Sequence, residues 1–140
     1  MNNQQQNKQV LTLQSTISDA GKLAEFLADY VKKFKIAEEI YNDLRLVAEE
    51  TFVNIASYAY TGQAQQTVTI ELSSTADKIS ITFTDAGIAF NPLTDAAECK
   101  ESDDHCEGGM GIHLITSLSD HQEYSRDGQS NVFMLSKHLY

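Results

Sequence analysis

The chain has no tryptophan, one proline and two cysteines in 140 residues. Positive charge is also scarce: 10 Lys and Arg stand against 20 Asp and Glu, for a formal net charge of -10. Nucleic-acid binding needs basic stripes that neutralise phosphates, so that role is excluded. An anionic ligand must instead be held by local donors, helix dipoles or a metal ion. The two cysteines, Cys99 and Cys106, share one polar segment, where a disulfide closes only a short loop. Their spacing around His105 matches none of the common zinc patterns. No apolar run reaches the ~20 residues that a membrane-spanning helix needs. The opening segment 1–9 lacks the apolar centre of an export signal and reads as a polar tail. A cytoplasmic protein is therefore expected.

The hydrophobic fraction of 41% suits one domain with a real core, expected over residues 10–140. Val10 to Leu13 predicts a short strand. Ser18 reads as the N-cap of a first helix, in which Leu23, Phe26, Leu27, Tyr30 and Val31 recur at helical spacing to about Phe34. A second helix, from Ala37 to Tyr58, is apolar on most sides and is expected to be substantially buried. Val68, Ile70 and Leu72, then Ile79, Ile81 and Phe83, alternate with polar residues and predict an antiparallel hairpin. A third helix opens at Gly111. Segments 121–126 and 131–137 form a closing hairpin, with Arg126-Asp127-Gly128 read as turn chemistry. The sum is an α+β sandwich: a mixed, mostly antiparallel sheet with helices on one face.

Glu50-x-x-x-Asn54, Asp85-Ala86-Gly87 and Gly108-Gly109-Met110-Gly111 punctuate this frame in that order. Glu50 and Asn54 lie four residues apart, on one face of the second helix. The amide oxygen of Asn54 is a hard donor suited to Mg²⁺, and a carboxylate one turn away can take a proton from an attacking hydroxyl. A solvated polar stripe is the plainer alternative for that pair. Glu49, the competing acid, points about 100° away from Asn54. Asp85 ends a strand, and a carboxylate accepts hydrogen bonds from an exocyclic amino group such as adenine N6. Gly87 lets the backbone turn sharply or approach a flat base, and Ile88 to Phe90 are apolar enough to wall a base pocket. Taken alone, Asp85-Ala86-Gly87 is an ordinary turn. Glycines at a helix N-terminus leave N–H groups open to an anion, although a lone glycine cluster is more often a hinge. No phosphate-loop or dinucleotide fingerprint is present.

Together these residues resemble the GHKL ATP-binding superfamily, with its Bergerat α/β sandwich. Glu50-Thr51-Phe52-Val53-Asn54 is similar to its N box, Asp85 to Pro92 to its G1 box, and Gly109 to Ile115 to its G2 box. The resemblance extends over nearly the whole chain and is closest to the stand-alone anti-sigma-factor serine/threonine kinases. It implies that Glu50 is the general base, that Asn54 ligates Mg²⁺ and that Asp85 binds adenine. Gly87, Phe90, Gly109, Met110 and Gly111 would shape the nucleotide pocket, under a lid at about 93–108. The implied ligand is Mg-ATP. The implied partners are a small antagonist protein, phosphorylated on serine, and a sigma factor; a homodimer is a further expectation. Tyr58 stands where many members carry histidine, and Met134 where a threonine often assists adenine recognition. A non-catalytic nucleotide-gated binding module, or an ATPase unrelated to transcription, are the alternatives to kinase activity.

Overall fold

A computed structural model describes residues 7–59, 66–94 and 108–139. Strand β1 (Gln9–Gln14) leads through a 3-10 turn into α1 (Ala20–Lys33) and then α2 (Glu38–Asn54). Strands β2 (Thr67–Ser74) and β3 (Lys78–Asp85) follow, then α3 (Gly108–Leu118), β4 (His121–Asp127) and β5 (Ser130–His138). The sheet order is β1-β2-β3-β5-β4, and every ladder is antiparallel. No parallel pair occurs among the described residues, because hairpins join β2 to β3 and β4 to β5, two helices lie between β1 and β2, and α3 with β4 lies between β3 and β5.

Period-two alternation gives the sheet one greasy face. Ile70, Phe83 and Phe133 lie in one cross-strand row, and Leu72, Ile81 and Leu135 in the next. All six are fully buried or nearly so, in one cluster with helix residues Leu23, Leu27, Leu44, Val47, Phe52 and Ile115. The helices therefore cover one face, as the α+β sandwich requires. The other face carries Thr12, Thr69, Thr82 and Thr84 in matching register.

Helix α2 buries a single stripe rather than most of its surface. Leu44, Val47, Ala48, Thr51 and Phe52 are sealed, at the spacing of one helical face. Leu46, expected inside, is 42% exposed. The hydroxyl of Thr51 is satisfied by donating to Val47 O at 2.8 Å. Ser18 is not an N-cap either. It sits in the 3-10 turn, and α1 starts after Asp19, whose carboxylate accepts from Gln14 N at 2.9 Å and lies 3.4 Å from Lys22 Nζ.

Helix α1 ends in a Schellman motif, with Ile36 N donating to Val31 O and Lys35 N to Lys32 O. Lys35 takes the left-handed conformation this requires, at φ 56°. The closing hairpin turns through Gly128 at φ 61°, with Asp127 paired to Ser130, a two-residue loop of the type that wants glycine first.

The register fixes which parts share an end of the molecule. Gln14 pairs with Thr67, and Val68 with Asp85, so α1 begins at the Asp85 end and stops at the far end. Helix α2 returns the ~25 Å implied by 17 residues at 1.5 Å each and delivers Asn54 back toward Asp85. Lys137 Nζ holds the tail of α3 to the head of α2, 3.0 Å from Leu118 O and 3.2 Å from Asp43 Oδ2. The start of α3 consequently points toward the Asp85 end as well.

Candidate functional site

One end of the fold thus collects the tail of α2, the tail of β3, the head of α3 and the β4–β5 turn. These are the elements that carry the sequence signals. On α2, Glu49 is committed elsewhere: its carboxylate lies 3.0 Å from Arg45 Nη1 in an i,i+4 pair. Glu50, next to it, is partly buried and faces another way. Asn54 is 2% exposed, and its Nδ2 has no hydrogen-bond partner among the described residues. Orphaned buried polar atoms are rare because each forfeits its hydration. A ligand oxygen would satisfy this one. Half a turn of the amide would offer its carbonyl oxygen there instead, the donor type magnesium takes. Directly after Asn54 the chain winds into a π turn over Ile55–Ala59, a helix irregularity that is frequent at functional sites.

Asp85 is 4% exposed, and its Oδ1 accepts from Gly87 N at 2.9 Å. The bend after β3 is made by this side-chain bond. Gly87 is not among the described residues with positive φ, so a left-handed glycine is not what turns the chain. Phe90 is buried in the main core, and Ile88 is exposed. Asn91 Oδ1 accepts from Leu93 N and closes the next turn. A shallow cavity of about 170 Å³ opens beside Asp85 between Gln66, Thr69 and Ser130. A larger one, about 450 Å³, lies at the far end near Phe34, Ile36 and Leu139, away from every predicted site residue.

Helix α3 begins at Gly108, three residues earlier than the expected start at Gly111. Gly109, Met110 and Gly111 thus lie in its first turn, where backbone N–H groups have no partner within the helix. Most of the expected lid, residues 95–107, lies outside the described residues, as do Cys99, His105, Cys106 and the side chain of Tyr58. Among the described residues no group of three metal-ligating side chains gathers.

Sequence reasoning missed the residue opposite Asp85. Met134 pairs with Thr82, on the face turned away from the helices; the partner of Asp85 across the β3–β5 ladder is Asn131. Asn131 is 3% exposed. Its Nδ2 donates to Asp85 Oδ1 at 2.9 Å and to Ile88 O at 2.7 Å. Its Oδ1 accepts from Phe90 N at 3.1 Å, Tyr124 Oη at 2.5 Å and Arg126 Nη1 at 3.1 Å. Arg126 also donates to Gly87 O at 2.8 Å, so it is more than turn chemistry. Only the register of β5 against β3 could have revealed this group.

A family model described as the histidine kinase-like ATPase domain matches residues 13–137. The chain belongs to this family. The match runs from β1 into β5 and includes all three signals, within the GHKL superfamily. Membership supports ATP binding and ATP-using, kinase-like chemistry. No curated protein matches the chain. Among the described residues no helix is long and apolar enough to cross a membrane.

Proposed function

We propose that this ATPase-family domain is a Mg-ATP-dependent protein serine/threonine kinase of the anti-sigma-factor type. The observation that carries the reading is the orphaned, buried amide of Asn54 at the same end of the fold as Asp85 and the glycine-rich head of α3. Asn54 would hold the metal, which bridges and neutralises the phosphates. Asp85 reads the amino group of adenine, and the N–H groups of Gly109, Met110 and Gly111 seat phosphate oxygens. Gly87 and Phe90 shape the base side. Glu50 takes the proton from the attacking serine hydroxyl.

The phosphate acceptor is a small antagonist protein, and the regulated partner is a sigma factor or a protein that plays that part. The chain acts in the cytoplasm, as a monomer or a homodimer. The test is transfer of a labelled γ-phosphate from Mg-ATP to a serine of a small antagonist protein of the anti-anti-sigma type. Transfer that is lost in Glu50→Gln supports the kinase. Tight ATP binding without any transfer would leave a nucleotide-gated binding module in its place.

A further inference from the structure

We propose that Asn131 is a positioning residue for base recognition, holding Asp85 and the 86–90 loop in place. The proposal rests on the adenine-reading role given to Asp85 and adds a specificity device to it. The carboxamide of Asn131 is the hub where three separate backbone and side-chain strands of the site are tied together. Two acceptors, Asp85 Oδ1 and Ile88 O, lie on its nitrogen side. Three donors, Phe90 N, Tyr124 Oη and Arg126 Nη1, lie on its oxygen side.

That division fixes the orientation of the amide, because turning it over would set donors against donors and acceptors against acceptors. No other side chain of this length supplies both halves. Aspartate would face the Asp85 carboxylate and Ile88 O with lone pairs, and leucine would remove all five of these bonds at once. With Asn131 3%, Asp85 4% and Phe90 5% exposed, water cannot readily replace the bonds to Asp85 Oδ1 and Phe90 N. Arg126 adds a second tie, from β4 to Gly87 O, so the loop is fastened at Gly87, Ile88 and Phe90 in turn.

The chemistry this selects for is a purine with a donor at position 6. A carboxylate held at a fixed angle accepts from a 6-amino group and repels a 6-carbonyl. A carboxylate released from Asn131 can swing away from the carbonyl, so discrimination as well as affinity depends on the clamp.

The test is competition of ATP and GTP against a fluorescent adenine nucleotide, with Mg²⁺, on the full chain. The variants are Asn131→Leu, Asp85→Asn and the double variant. Asn131→Leu should weaken ATP by at least about tenfold, as for one lost buried bond to a charged group. GTP should weaken by less than about threefold, and in the Asp85→Asn background the same substitution should cost ATP less than about threefold more. Equal losses for the two nucleotides, or an undiminished loss in that background, would make Asn131 merely structural. Should Asn131→Leu show no cooperative thermal transition, the smaller, uncharged Asn131→Ser takes its place with the same readouts. Wild type that binds ATP, with Asn131 variants unchanged, overturns this proposal alone. Wild type that binds no ATP overturns the nucleotide reading beneath it.

Discussion

Glu49 is tied to Arg45 by an ion pair of 3.0 Å, while Glu50 is the acid one turn before Asn54 on the same face. Exposed i,i+4 pairs contribute about 0.3–0.5 kcal/mol, so Glu49→Gln should leave turnover and ATP affinity within about twofold. Glu50→Gln should lower phosphotransfer by about a hundredfold or more, with ATP affinity nearly unchanged. Steady-state transfer rates and equilibrium binding on both variants check this. Equal effects would remove the distinction.

Asn54 is costly to the empty fold. A buried amide nitrogen without a partner forfeits about 1–3 kcal/mol of hydration. Asn54→Leu, close in volume, should raise the thermal midpoint of the nucleotide-free protein and abolish Mg²⁺-dependent ATP binding. Calorimetric melting with and without Mg-ATP reads both. A lowered midpoint would mean that the amide is structural.

Lys35 occupies the left-handed C′ position of α1 at φ 56°. A residue with a Cβ is disfavoured there by about 1–2 kcal/mol, partly offset by the greater unfolded freedom of glycine. Lys35→Gly should stabilise the domain by about 0.5–1 kcal/mol in urea unfolding. The site lies at the far end, so nucleotide affinity should not move.

Tyr30 is sealed beneath the sheet edge, its Oη 2.5 Å from Asn7 O and 2.8 Å from Ser74 Oγ. Burial raises its pKa above the ordinary tyrosine value, against a smaller lowering by the Ser74 bond. The folded state thus keeps its proton where the unfolded chain has lost it. This contribution is complete below about pH 10 and fades as pH rises beyond it. Tyr30→Phe should be less stable than wild type at neutral pH, by about 1 kcal/mol for the lost hydrogen bonds. The gap should narrow above about pH 10. Urea titrations across that range give the comparison.

The strands were legible because alternation is a local property: Val68 to Leu72 and Ile79 to Phe83 declare their faces without any partner. The tight turn at Gly128 was legible for the same reason. The α2 stripe was blurred by Leu46, an apolar residue left in solvent, which composition cannot separate from a buried one. Glu50, Asn54 and Asp85 stood out because polar groups near apolar runs demand partners. Asn131 did not, because its role depends on a cross-strand register that puts it opposite a residue 46 positions away. The π turn after Asn54 was equally hidden, since nothing in Ile55 to Ala59 departs from an ordinary helical pattern.

The central claim is Mg-ATP binding at the end of the fold shared by Asn54 and Asp85. Isothermal titration of ATP into the wild-type chain, with and without Mg²⁺, beside Asn54→Ala and Asp85→Ala, tests it most directly. Saturable binding by wild type that Mg²⁺ tightens, loss of the Mg²⁺ effect in Asn54→Ala, and loss of binding in Asp85→Ala are the predicted results. No heat of binding from folded wild type, or unchanged binding by both variants, would contradict the account.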